Sequence, residues 1–144
     1  MHSQGSKGMV HLDLKPDNIL ITDTGSVKLI DFDNAVRMGE RYATHYGSIG
    51  FAAPEQYHRL YQDCRADIYS LGMLILYMDN GHVQCHAESL HHKKFYPIVK
   101  KCIHHSIWQR YRNVKQVRQA VYSLQAENEL SENIKAQNIS LYGT

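Results

Sequence analysis

Apolar residues fall along this chain in short dense runs, and the spacing inside each run changes from one part of the chain to the next. Ile19-Leu20-Ile21-Thr22 and Val27-Lys28-Leu29-Ile30 are β-rich runs on either side of Asp23-Thr24-Gly25-Ser26, which has turn composition. That pattern predicts a small β-hairpin. From Asp31 to Glu55 no periodicity is sustained and Gly, Ala, Tyr and Thr are frequent, so an ordered loop is expected there. Ala66 to Met78 then carries Ile68, Leu71, Gly72, Leu74, Ile75 and Met78 nearly all round a helical wheel, which predicts a helix buried on most sides. Asp79-Asn80-Gly81 ends it, because Asn and Gly accept the left-handed backbone that a helix terminus needs.

His82 to His92 is a polar, histidine-rich connection. Helical spacing returns after Pro97 with Ile98, Val99, Cys102 and Ile103. Past a loop holding Trp108, the residues Val114, Val117, Val121 and Leu124 recur at three and four positions and predict a second amphipathic helix. Beyond Ala126 the chain is polar and weakly patterned, so residues 127–144 are expected to be a frayed extension. The pattern as a whole is mainly α with one small β-hairpin.

A length of 144 residues suits one domain with a real core. Charge is nearly balanced, 16 basic against 14 acidic residues, and Lys93-Lys94 and Lys100-Lys101 are pairs and not a long tract. Nucleic acid is therefore not the expected partner. Cys64, Cys85 and Cys102 are odd in number and widely spaced, which fits a reducing, cytoplasmic location better than a disulfide framework. The longest apolar run, Leu71 to Met78, is about half of what crosses a bilayer, so no membrane segment is expected.

Chemistry concentrates in His11-Leu12-Asp13-Leu14-Lys15-Pro16-Asp17-Asn18, where a carboxylate, an amine and a carboxamide share a short loop. Asp31-Phe32-Asp33 and then Ala53-Pro54-Glu55 follow it in order. These three motifs resemble the C-terminal lobe of the eukaryotic-like, Hanks-type serine/threonine protein kinases of bacteria. The spacings agree with a compact member: 18 positions from Asp13 to Asp31, 24 from Asp31 to Glu55 and 12 from Glu55 to Asp67.

The resemblance covers His11 to about Leu124 and implies a kinase-like fold with residues 1–10 as the remnant of the helix before the catalytic loop. It implies phosphoryl transfer from ATP to a Ser or Thr hydroxyl of a protein substrate, with Mg²⁺ as the metal. Asp13 would accept or orient the hydroxyl proton, and Lys15 would contact the transferred phosphoryl group. Asn18 and Asp31 would hold Mg²⁺. Ser48, in Gly47-Ser48-Ile49-Gly50, would belong to the substrate platform. Structural roles fall to Glu55, paired with Arg110 in a buried ion pair, and to Asp67, accepting hydrogen bonds from the catalytic-loop backbone.

Two residues depart from the pattern. Leu12 replaces the arginine that receives an activation-loop phosphate in many relatives, so regulation through Tyr42, Thr44 or Tyr46 is not expected by that route. Asp33 replaces the glycine of the DFG motif, a change compatible with bacterial members. With ten residues before His11, the chain as given has no room for a glycine-rich loop or a strand lysine, so an N-terminal lobe would have to come from further sequence or a separate chain. The alternative is a kinase-like interaction module or truncated fragment that transfers nothing. His82, Cys85, His86, His91 and His92 offer zinc-type ligands, but their spacing matches no paired-ligand pattern and a solvated loop is expected.

Overall fold

A computed structural model describes residues 8–39, 47–58, 63–83 and 86–142, with side chains described to residue 132. Four short strands come first: β1 (Met9–Val10), β2 (Ile19–Ile21), β3 (Val27–Leu29) and β4 (Val36–Arg37). Three helices follow: α1 (Arg65–Asn80), α2 (Tyr96–Cys102) and α3 (Val114–Tyr142). Single 3-10 turns at Pro16–Asn18, Pro54–Tyr57, Ala87–Ser89, Lys93–Phe95 and Ile107–Gln109 fill the connections.

The hairpin forms where the alternating runs predict it, with Ile19 opposite Leu29, Leu20 opposite Lys28 and Ile21 opposite Val27. Gly25 closes its turn at φ 76°, a conformation that suits a residue without Cβ. A second antiparallel pair, β1 with β4, encloses this hairpin in sequence, matching Met9 with Arg37 and Val10 with Val36. This corrects two expectations. Residues 9–10 are strand and not the end of a helix, and the 31–55 segment contains a strand. Strands of two residues have no period to detect, and their partner lies a whole loop away.

α1 is the centre of the molecule. Ala66, Ile68, Met73, Leu74 and Leu76 are buried along it, and each of the three apolar clusters takes residues from it. Met73, Leu74 and Leu76 pack with Phe51, Leu90 and Val99, Ala66 with Val10, Leu12 and Val36, and Ile68 with Ile98, Cys102 and Val117. The helix stops at Gly81 with φ 75°, whose N–H bonds Tyr77 O at 2.8 Å. Met78, expected inside, is 73% exposed, because it lies in the last turn, beyond the elements that cover the rest of the helix.

α3 also departs from expectation. It is one helix of 29 residues and continues through 127–142 instead of fraying after Ala126. The stretch from Val114 to Tyr142 holds no Gly or Pro, and Gln, Glu, Ala and Leu make up 13 of its 29 residues, so propensity carries the helix where the apolar stripe ends. Val117 is buried, Val121 and Leu124 are half-buried, and Val114, the first residue, is exposed. Among the described residues no helix is long and apolar enough to cross a membrane. Cys64 and Cys102 are free and buried, and burial pushes both thiols up to about 12.

Gly72 sets how closely α1 approaches the end of α2. A Cβ there would lie 2.6 Å from Ile103 Cγ2 and 2.7 Å from Cys102 Cβ. Gly→Ala inside an exposed helix ordinarily stabilises by about 0.5–1 kcal/mol, but overpacking of this kind costs about 1–3 kcal/mol. Gly72→Ala is therefore expected to lower stability in urea unfolding, and a rise in midpoint would disprove the close approach.

Candidate functional site

The two ladders place the chemistry-bearing loops side by side. Residues 11–18 leave β1, the hairpin β2–β3 follows at once, and residues 30–35 return the chain to β4 beside β1. Ile30 N–H bonds Asn18 O at 3.0 Å, so the hairpin holds the loop after β1 against the loop before β4.

The loop after β1 is pinned from below by α1. Asp67, in the first turn of α1, accepts His11 N–H at 2.8 Å on one carboxylate oxygen and Leu12 N–H at 2.9 Å on the other. Leu12 has φ 64°, a left-handed conformation that costs a non-glycine residue about 1–3 kcal/mol. The carboxylate clamp offsets that strain, as does burial of the Leu12 side chain with Val10, Val36 and Ala53. The leucine at this position is thus a core residue. Gln56 locks the same turn from the far side, donating Nε2–H to Leu12 O at 2.9 Å and accepting Ala53 N–H at 2.8 Å. Gly47, at φ 66°, is needed where this layer is tightest: a Cβ would sit 2.7 Å from Leu12 O and 2.8 Å from Gln56 Nε2.

Held in this way, Asp13 lies buried at the centre of a polar network. Its Oδ1 accepts Ser48 N–H at 2.9 Å, and its Oδ2 lies 3.3 Å from Lys15 Nζ and 3.2 Å from Asn18 Nδ2. Asn18 Nδ2 also donates to Asp13 O at 2.8 Å, and Lys15 Nζ donates to Ser48 Oγ at 2.9 Å. Four of the sequence-predicted site residues, Asp13, Lys15, Asn18 and Ser48, therefore form one connected group. Burial raises the Asp13 carboxyl, but the hydrogen bonds from Ser48 and Lys15 and the lysine charge outweigh it and hold its pKa below the ordinary aspartate value.

Asp31 stands apart from this group. It is exposed, has φ 58°, and accepts Asp33 N–H on Oδ1 in a long 3.4 Å contact. The link between Asp13 and Asp31 is His11. Its Nε2–H donates to Ile30 O at 3.2 Å, its ring lies 4.9 Å from the Phe32 ring, and its Nδ1 is buried without a hydrogen-bond partner. Neither His11 nor Gln56 was singled out from the sequence. Both act through contacts 19 and 44 positions away, which no local pattern marks.

The donor set suits a hard divalent cation. Asn18 uses its amide nitrogen on Asp13, no described residue donates to its Oδ1, and the Asp31 carboxylate faces solvent. Carboxylate and amide oxygens are the ligands Mg²⁺ takes. The histidine-rich connection, in contrast, does not gather. His91 and His92 both bond Asp79, His82 Nδ1 bonds Asn80 O at 2.9 Å, and among the described residues no three His, Cys, Asp or Glu side chains converge. Cys85, Tyr42, Thr44, Tyr46 and residues 1–7 lie outside the described residues.

Glu55 and Arg110 form a two-pronged pair, Nη1 to Oε1 at 2.6 Å and Nη2 to Oε2 at 2.8 Å. Arg110 is fully buried, stacks on the Tyr69 ring at 4.9 Å, and also donates to Arg65 O and His104 O. This ties the turn after Ala53 to the segment between α2 and α3.

Two predictions follow from this geometry. Asp67→Asn puts an amide N–H against a backbone N–H in a buried site and is expected to cost about 1–3 kcal/mol, read in chemical unfolding; unchanged stability would show that the clamp is dispensable. For Asp13, a folded pKa below the unfolded one means that its pairing stabilises the fold above the ordinary aspartate pKa. That contribution is lost as pH falls through the lowered value. A carboxyl-carbon NMR titration is expected to find the Asp13 midpoint below that of an exposed aspartate and to move up in Lys15→Ala. A midpoint indifferent to Lys15 would refute the assignment.

The protein kinase domain family matches residues 1–138. The chain is 40% identical over 86 residues to a probable serine/threonine-protein kinase of Clostridium perfringens, covering 57% of this chain and 13% of that protein. It is 41% identical over 96 residues to a probable serine/threonine-protein kinase of Dictyostelium discoideum, covering 65% and 8%. With the serine/threonine-protein kinase PknL of Mycobacterium tuberculosis it shares 38% over 86 residues, covering 57% and 22%. The chain thus spans less than a quarter of the length of these relatives. Since the family match runs over nearly all of its 144 residues, this chain belongs to the protein kinase family.

Proposed function

We propose that this chain carries the acceptor-orienting and metal-holding part of a protein serine/threonine kinase site, which moves the γ-phosphoryl group of ATP to a protein hydroxyl. One observation carries the proposal: the buried Asp13 carboxylate, the Lys15 ammonium, the Asn18 carboxamide and Ser48 form a single hydrogen-bonded network. In this proposal residues 11–126 form the kinase C-lobe.

Asp13 presents a carboxylate, as an ordinary aspartate does at neutral pH, and so accepts the hydrogen bond of an incoming Ser or Thr hydroxyl and aims that oxygen. An aspartate carboxylate is a weak base, and its main work is orientation, with the proton arriving late as the new O–P bond forms and the bond to ADP breaks. Lys15 is 3.3 Å from Asp13 and reaches Ser48, which sets a positive charge between base and substrate platform, where the transferred group's charge develops. Asn18 and Asp31 would hold Mg²⁺, which when bound neutralises phosphate charge. Gly47 and Gln56 keep Ser48 N–H on Asp13, and His11 keeps the Asp31 loop in register with the Asp13 loop.

A second lobe would complete the phosphate clamp. The hairpin supports this, since apolar side chains are exposed on both of its faces, Ile21 and Val27 on one and Leu20 and Ile30 on the other. The alternative is an interaction module without transfer.

The two separate in one assay. The chain, supplied with a kinase N-terminal lobe, is incubated with labelled ATP, Mg²⁺ and a generic protein acceptor. Transfer is expected, falling by about 100-fold or more in Asp13→Asn and in Asp31→Asn. Equal transfer by the variants would sink the assigned roles, and no transfer by the unaltered chain would favour the interaction module.

A further inference from the structure

Between residues 89 and 126 the chain has eight lysines and arginines and no aspartate or glutamate, whereas the remainder has eight basic residues against fourteen acidic ones. The near-neutral total conceals this segregation. Of the eight, only Arg110 is buried on a carboxylate. Lys93, Lys94, Lys100 and Lys101 are exposed at the start and end of α2. Arg112, Lys115 and Arg118 are exposed where α3 begins. The two helices pack on each other through Ile98, Cys102 and Val117, so the cations share one region of surface.

Among the described residues one carboxylate acts on this group, Glu88, which is linked to Lys100 through the Tyr96 hydroxyl. None of the seven forms an ion pair with a described carboxylate. The nearest acid is Glu88, at the edge, whose Oε1 accepts the Tyr96 hydroxyl at 3.2 Å. The first turn of α3 has no acidic residue and carries Lys115, so its charge opposes the helix dipole in place of complementing it. Seven gathered cations with one carboxylate at their edge work against the folded state. An anionic partner removes that cost.

The side chains also indicate which anion. Lys94 lies over the Phe95 ring at 5.2 Å and Lys101 over the Tyr111 ring at 4.5 Å, while Lys100 Nζ donates to the Tyr96 hydroxyl oxygen at 3.1 Å. On Phe95 and Tyr111 the face under the lysine is covered and is not free to stack a nucleobase. On this face the exposed large hydrophobic side chains among the described residues are Trp108, whose ring lies under the Arg65 guanidinium at 4.5 Å, and Val114, while α2 buries its own apolar residues Ile98, Val99 and Cys102 and so turns no apolar stripe toward a lipid surface. Compact lysine heads on ring faces suit carboxylates. We propose that the face made by α2 and the first turns of α3 is a docking surface for an acidic segment of a partner protein. It is built from elements that carry none of Asp13, Lys15, Asn18 or Asp31, so the proposal stands whether or not the chain transfers phosphate.

The test uses the 144-residue chain and a fluorescein-labelled oligoglutamate peptide, with binding read by fluorescence anisotropy. Binding is expected to weaken as salt rises through the range where the screening length falls to about 8–10 Å. It should weaken by about tenfold or more in Lys93→Glu/Lys94→Glu/Lys100→Glu/Lys101→Glu, with a smaller loss in Lys115→Glu/Arg118→Glu. The control Lys28→Glu/Arg37→Glu, exposed on β3 and β4, should change it by less than about twofold. Circular dichroism checks that each variant is folded, and the α3 pair keeps the test decisive if the quadruple variant is not. Absence of peptide binding, or an equal loss in the control, would overturn the proposal. So would tighter binding of a single-stranded oligonucleotide or of phosphatidylserine vesicles than of the peptide.

Discussion

Everything at the candidate site depends on one buried carboxylate. Asp67 sits in the first turn of α1, the helix from which every apolar cluster is built, and receives the N–H groups of His11 and Leu12. A peptide segment with Leu12 at φ 64° would relax if left to itself. Two charge-assisted hydrogen bonds to a carboxylate on the most deeply buried helix of the described residues prevent that. Because Leu12 is held there, its carbonyl meets Gln56, its neighbour Asp13 meets Ser48, and the preceding His11 meets Ile30. Stability of the core and geometry of the site are thus one problem, solved at one residue.

The fold spends polar groups where apolar ones cannot do the work. Glu55 and Arg110 could be replaced in volume by hydrocarbon, but hydrocarbon could not join a turn after Ala53 to the backbone of residues 65 and 104 with fixed direction. The guanidinium reaches three separate chain segments with a planar set of donors. The same economy explains the contrast with the α2 and α3 surface. Inside, Arg110 has Glu55; outside, Lys94 and Lys101 are held over aromatic rings and form no ion pair with a described carboxylate.

Legibility in the sequence followed range. The hairpin, the body of α1, its stop at Gly81 and the start of α2 come from signals within about ten residues, namely alternation, helical spacing and the Asn-Gly turn. β1 and β4 were missed because a two-residue strand is defined only by its partner. The far half of α3 was missed for another reason: a helix sustained by propensity with little apolar stripe resembles a polar tail when read by periodicity. Within the site, motif spacing grouped Asp13, Lys15 and Asn18, which lie five positions apart at most. His11 and Gln56 carried no comparable mark.

The sequence by itself determined the element types with strong local periods, the family to which the chain belongs, and the identity of the groups able to do chemistry. Those depend on side-chain type and near-neighbour spacing, which are written along the chain. Tertiary structure alone decided that Ser48 meets Asp13 across 35 positions, that Asp67 reaches back 55 and 56 positions to Leu12 and His11, and that Leu12 is a core residue. It also decided that the cations of α2 and α3 lie on two helices packed together. Contacts at such separations arise when several faces are buried at once, and no window along the chain contains both partners.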